Sequence, residues 1–191
     1  AAGDSKAYQS VCEAGAKALR ALGINMTFAP VGDVNNNPRN PVINARSYGD
    51  DVQTVNEYVA AAMKGYENAN ILSTIKHFPG HGDTDVDSHL GLPTLTHDKK
   101  RLNALELVPF KNAIQKNIPA IMTAHIVIKA YDPSHPATLS KKVMRELLRD
   151  TLGYNGILIT DLLSMHAIKD HYSVKETILL SVNAGNDILL Y

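Results

Sequence analysis

Apolar residues in this chain change period about every twenty residues, from the three-and-four spacing of an amphipathic helix to the unbroken run of a strand buried on both faces. A helix over residues 8–22 carries Val11, Ala14, Ala18 and Leu22 at helical spacing, and Gly23 is placed to end it. Residues 24–30 read as a short buried strand. A second helix over 51–68 sets Val52, Val55, Val59, Met63 and Tyr66 on one face, and residues 71–75 form the next strand. Leu102, Leu105 and Val108 begin a third helical segment. Pro109, which lacks an amide hydrogen, must kink it or restart it. Residues 118–126 are the third strand. Ser140 caps a fourth helix, with Leu139 packing on Met144 and Gly153 at its end. A strand over 156–160, a helix over 174–184 and a strand over 187–191 complete the order.

Helix and strand thus alternate about five times, which requires a parallel sheet covered by helices. Two α/β architectures satisfy this, a (β/α)8 TIM-type barrel and a doubly wound sheet. No Gly-x-Gly-x-x-Gly or phosphate loop follows any strand, which weighs against nucleotide binding. The reactive residues stand where strands end instead: Arg46 in a loop, then Lys76 and His77, His125 and Asp161. A barrel keeps its active site on that face. A full barrel takes about 250 residues, and this chain of 191 opens on a helix and closes on a strand. The expectation is one partial catalytic barrel domain over 1–191, with about five βα units and elements missing at both ends.

Composition removes several classes of function. Nineteen Lys and Arg balance nineteen Asp and Glu, so no net charge draws the chain to nucleic acid or to an acidic membrane. No run approaches the roughly 18 apolar residues of a membrane span. A hydrophobic share of 45% and a charged share of 20% exclude a disordered chain. Cys12, the single cysteine, excludes an internal disulfide and a cysteine-rich zinc site, and belongs in the core. Ala1-Ala2-Gly3-Asp4 shows neither the basic start nor the apolar stretch of an export signal, and the compartment stays open between bacterial cytoplasm and cell wall.

Residues 76–89 are the most informative stretch: Lys76-His77-Phe78-Pro79-Gly80-His81-Gly82-Asp83-Thr84-Asp85-Val86-Asp87-Ser88-His89. Three histidines, three aspartates and a lysine in fourteen residues follow a buried strand, where charge without a partner is costly. One reading is a solvated polar loop. A second is a metal site. Asp83-x-Asp85-x-Asp87 imitates the start of a calcium loop, but Ser88 replaces the glycine and Thr94 the final glutamate that such a loop requires. A transition-metal set of His81, Asp85 and His89 remains open, as a metal-dependent hydrolase. The third is acid–base chemistry. Asp87 and His89 lie two apart, so an extended loop points both the same way, and a carboxylate orients an imidazole and raises its proton affinity. Asp161, closing the apolar run 156–160, is the matching carboxylate, able to attack a sugar's anomeric carbon as in retaining glycosidases.

The long histidine–aspartate motif, continuing to Leu92-Pro93, resembles the signature of the β-N-acetylglucosaminidase branch of family 3 glycoside hydrolases. So do Phe28-Ala29-Pro30-Val31-x-Asp33-Val34, Asn40-Pro41-Val42-Ile43-x-x-Arg46-Ser47-Tyr48-Gly49, Pro136-Ala137-Thr138-Leu139-Ser140 and Thr160-Asp161-x-Leu163-Ser164-Met165. The resemblance implies a retaining exo-enzyme acting on terminal β-linked N-acetylglucosamine in peptidoglycan fragments. Asp161 is then the nucleophile, His89 paired with Asp87 the general acid/base, and Arg46, Lys76 and His77 the residues that grip sugar hydroxyls. It implies no metal and no cofactor, and a small carbohydrate as the only partner. A non-catalytic N-acetylglucosamine-binding module is the alternative. Among the remaining residues, His81 is expected to shape the loop and His125 to border the pocket or to be a satisfied residue of the rim. His97, His135, His166 and His171 are expected at the surface and Asp187 in a structural turn; Arg39 is unassigned.

Overall fold

The computed structural model describes residues 3–191. Its strands are β1 (Met26–Thr27), β2 (Leu72–Phe78), β3 (Thr94–Leu95), β4 (Ala120–Thr123), β5 (Val127–Ile128) and β6 (Ile157–Ile159). Four of them form one parallel sheet in the order β1-β2-β4-β6, with pairs such as Met26 with Leu72, Ile75 with Ile121 and Ile121 with Leu158. A parallel bridge from Ile159 to Ile188 continues it in the same sense. Neighbours follow chain order without reversal. A doubly wound sheet reverses at a switch point, so this is the arc of a TIM-like (β/α) barrel, as expected from the order of elements. The register shifts between Ile75 and Phe78. This irregularity, a common device beside active sites, falls on Lys76 and His77, which lie inside β2 rather than after it as the sequence reading had them.

Helices α1 (Ser5–Ala21), α2 (Val52–Asn68), α3 (Lys99–Ala104), α4 (Val108–Gln115), α5 (His166–Lys169) and α6 (Val174–Ala184) cover the sheet with a wide π-type helix, Lys142–Thr151. Phe78 meets Phe110 edge-on at 5.3 Å in the core between sheet and helices, beside fully buried Ile121, Met144, Leu148 and Leu158. Pro109 stands at the start of α4 and divides the third helical segment in two. α6 spans the expected residues, held by a reciprocal capping box between Ser173 and Glu176. Ser140 Oγ accepts the Val143 amide at 3.2 Å, although the wide helix begins at Lys142. Asp187 is structural, taking Arg149 at 2.9 Å and the Leu158 amide at 2.7 Å.

Four expectations need correction. Residues 24–30 shorten to β1 plus a bridge at Val31, residues 118–126 shorten to β4, and 187–191 reduce to the single bridge at Ile188. The small β3–β5 ribbon and α5 are additions. On α1 the expected apolar face is wrong, because Val11 is 66% exposed and Leu22 78%, whereas Cys12 and Ala16 are buried. The reason is steric. α1 packs on α2 through its small residues at Gly65, where backbones approach too closely for branched side chains.

A Cβ on Gly65 would lie 2.6 Å from the Gln9 carbonyl oxygen and 2.8 Å from Cys12 Cβ. Gly65→Ala gains about 1 kcal/mol of helix propensity but overpacks the contact by roughly 1–3 kcal/mol. We expect a net loss of stability, read as a lower denaturant midpoint at unchanged slope. A higher midpoint would show that α1 and α2 can separate freely.

Candidate active site

A cavity of about 90 Å³ at the C-terminal ends of the strands is lined by Val42, Arg46, Lys76, His77, His81, Ser88, His89 and Asp161. Four elements deliver them: the Asn44–Arg46 turn, the shifted end of β2, the loop after β2 and the end of β6. Larger clefts lie elsewhere; one of about 620 Å³ runs along Leu72, Ser73 and Pro119, at the strands' N-terminal ends. That face of a barrel serves stability rather than chemistry. Of the expected site residues, Arg46, Lys76, His77, His89 and Asp161 all border the small cavity, and Asp87 reaches it through His89.

Asp33 organises the floor and was given no role in the sequence reading. The bridge from Val31 to Lys76 sets its fully buried carboxylate beside β2. Oδ2 faces His77 Nδ1 at 2.7 Å and Oδ1 accepts the His81 amide at 2.7 Å, while the His77 amide lies 3.2 Å from Oδ2. Burial alone would push this carboxyl up, but the His77 ring and the amide hydrogen bonds more than offset it and hold it below its usual range. On the other edge of the His77 ring, Arg46 Nη2 approaches Nε2 at 3.4 Å. A signal for Asp33 existed: it is an acidic residue just past an apolar strand, as Asp161 is. Lys76 is pulled below the usual lysine range by burial and then by Arg46, against the opposing pull of Asp161 and Asp33.

The loop after β2 is fixed at its base. A Cβ on Gly82 would overlap the Val34 carbonyl oxygen, so the loop lies flat on that backbone. Asn40 Nδ2 donates to the His81 carbonyl at 2.7 Å. His81 faces Thr84 Oγ1 at 2.6 Å and Ser88 Oγ at 3.2 Å and is buried, its pKa pushed down to about 4 chiefly by desolvation. Further out, Asp87 Oδ1 accepts both the backbone amide of His89 and its Nδ1, each at 2.8 Å. A turn makes this pair, with Leu90 N donating to Asp87 O at 2.9 Å, so the extended loop expected from the spacing is corrected. The His89 side chain is 61% exposed.

Asp161 Oδ1 accepts the amide of Leu162 at 2.8 Å, and the Leu162 carbonyl accepts from His125 Nε2 at 3.0 Å. His125 is therefore a buried, satisfied histidine behind the nucleophile candidate; its other nitrogen meets Thr138 Oγ1 at 2.8 Å, and burial pushes its pKa down. His97 is corrected too. Its Nε2 meets Asp83 Oδ2 at 2.6 Å, and Arg101 joins Asp83 at 3.2 Å and Glu106 at 3.0 Å. Asp83, His97 and Glu106 are close enough to hold an ion, but Arg101 already supplies their cation. His81, Asp85 and His89 do not converge: His81 bonds inward, whereas Asp85 is exposed and holds Asn37 at 2.8 Å. His135 and His166 pair locally with Asp132 and Asp170, and Arg39 lies 3.7 Å from Asp85 in solvent.

The family model described as the glycosyl hydrolase family 3 N-terminal domain matches residues 1–191. Beta-hexosaminidase A of Pseudoalteromonas piscicida is 45% identical over 192 residues, covering 94% of this chain and 32% of that protein. Beta-hexosaminidase LpqI of Mycobacterium tuberculosis is 38% identical over 179 residues, 91% of this chain and 46% of that one. A family 3 β-N-acetylglucosaminidase structure from Paenibacillus sp. FPU-7 superposes with a TM-score of 0.97 at 48% identity, over 100% of this chain and 36% of that one. The β-N-acetylglucosaminidase of Thermotoga maritima gives a TM-score of 0.87 at 34% identity, over 99% of this chain and 40% of that one. The chain thus spans a third to a half of the length of these relatives. It belongs to glycosyl hydrolase family 3.

Because His81 falls from its ordinary 6.5 to about 4 in the fold, the unfolded chain binds a proton there that the folded protein refuses. This contribution is complete above pH 6.5 and is lost as pH falls toward 4, a loss on the order of 3 kcal/mol. Urea unfolding across that window is expected to show a weaker pH dependence for His81→Gln than for the parent, by up to one proton. Parallel curves would mean that His81 titrates freely.

Proposed function

We propose that residues 1–191 are the barrel domain of a retaining exo-β-N-acetylglucosaminidase, one that releases terminal β-linked N-acetylglucosamine from peptidoglycan fragments. The observation that carries this reading is the meeting of Asp161, the Asp87–His89 pair, Arg46, Lys76 and His77 around one small cavity. The names of the relatives, beta-hexosaminidase and β-N-acetylglucosaminidase, support the reaction and the sugar. A cavity of about 90 Å³ suits part of a single ring, which supports exo action.

In this mechanism a carboxylate oxygen of Asp161 attacks the anomeric carbon, and the bond to the leaving oxygen breaks. His89 gives its Nε2 proton to that oxygen, while Asp87 holds Nδ1 and steadies the ring. A covalent glycosyl ester on Asp161 results. Water then attacks the same carbon, His89 takes its proton, and the carboxylate leaves, restoring both groups. Arg46 and Lys76 donate to ring hydroxyls and hold the sugar over Asp161. His89 stands on an exposed turn, so it can reach the glycosidic oxygen after the sugar has entered.

Asp161→Asn in the full-length protein should abolish turnover of an aryl N-acetyl-β-glucosaminide, and undiminished turnover would remove the nucleophile. His89→Ala should cost about 10²- to 10⁴-fold on a substrate with a poor leaving group, and far less on an activated aryl glycoside. Equal losses on both would remove the acid role.

A further inference from the structure

The Asp33 carboxylate is a charge placed where water cannot reach it, and all its contacts are N–H groups of the two histidines that begin the catalytic loop. A purely structural anchor would need only the two backbone amides. The contact to His77 Nδ1, at 2.7 Å, does more, because it decides where the imidazole carries its proton. A carboxylate accepts only, so Nδ1 must be the donor. At the far edge the neighbour of Nε2 is a guanidinium, Arg46 Nη2 at 3.4 Å, which donates only. Acceptor on one side and donor on the other select a single tautomer. Burial keeps water from the Nδ1 edge, which faces Asp33, while the Nε2 edge borders the cavity where a sugar would sit.

We propose that Asp33 is a positioning residue of the sugar site: it locks His77 as the Nδ1–H tautomer, so that Nε2 offers a lone pair to a hydroxyl proton of the bound sugar. The division of labour follows. Arg46 and Lys76 can only donate to sugar oxygens, and His77 supplies the acceptor that a hydroxyl's own proton needs. A free hydroxyl at that point can replace the long Arg46 contact as the donor to Nε2 and release the guanidinium for another sugar oxygen, whereas an ether or a blocked oxygen there sets acceptor against acceptor. The inference rests on the glycosidase reading for the identity of the ligand, but the tautomer itself can be observed without substrate.

Nitrogen-15 spectra of the full-length protein, with His77 assigned by its absence in His77→Gln, should show Nδ1 protonated and Nε2 bare at neutral pH. A ring protonated at Nε2 or at both nitrogens overturns the proposal. Asp33→Asn presents an amide hydrogen toward Nδ1 and should move the proton to Nε2, with kcat/KM down about 10- to 100-fold. In a His77→Gln background the same change should cost little further; additive losses would show Asp33 acting only as a fold anchor. If Asp33→Asn does not fold, the parent spectrum alone decides. Undiminished turnover by Asp161→Asn would sink the glycosidase reading and leave the tautomer result standing. The wrong tautomer beside an inactive Asp161→Asn protein would sink this inference alone.

Discussion

A buried carboxylate must collect donors from its surroundings or give up its charge. Asp33 collects the amide and imidazole of His77 and the amide of His81, and so ties the extension of β1 to the end of β2 and to the start of the catalytic loop. Removing one donor from such a set typically costs on the order of 1–3 kcal/mol or more, because the buried Asp33 charge is left short of a partner. The orientation of His77 and the position of the His81 amide follow from this set of contacts, and Asn40 and the close approach of Gly82 to Val34 complete the base of the loop.

The loop is anchored along its length, through His81 at its base and Ser88 between Asp87 and His89, and what stands clear of it is the His89 side chain. His81, Thr84 and Ser88 form a buried chain of hydrogen bonds, and the Asp83–His97–Arg101–Glu106 cluster binds the base to the ribbon and α3. Asp87 and His89 flank Ser88, whose carbonyl accepts the Ala167 amide of α5 at 3.2 Å, so the backbone of this turn is held to the rest of the fold. The His89 ring itself is largely exposed and bonded only to Asp87. In the proposed reaction the ring can rotate toward the sugar while Asp87 keeps its Nδ1 edge in a defined orientation.

Long periodic segments were legible in the sequence, and contacts between segments were not. α6 and the proline break before α4 follow from local rules of capping and of the missing amide hydrogen. The apolar stripe of α1 was misassigned because its true partner, the close approach at Gly65, is set by another helix. The site read similarly. Asp161, His89, Arg46, Lys76 and His77 announced themselves as polar residues after apolar runs or within a dense motif. Asp33 gave a weaker signal, because it stands three residues beyond the expected strand 24–30 and outside the dense motif, and its partners His77 and His81 are more than forty residues away. His97 seemed unpartnered because its partner is fourteen residues back, beyond any local pattern.

In the proposed reaction, an imidazole as proton donor has a consequence for charge. Among the residues lining the cavity, Asp161 is the only carboxylate, and it faces two cations, Arg46 and Lys76. A second carboxylate at the roughly 5 Å usual in retaining glycosidases would compete with it for those cations and for a proton. The imidazole avoids that competition, and its own carboxylate, Asp87, stays on the turn, 24% exposed. Lys76 feels the chemistry directly. Burial and Arg46 depress its pKa while Asp161 opposes them, so esterifying Asp161 in the proposed intermediate removes one of the charges that sustain it. Hydrolysis of the ester restores that charge beside Lys76.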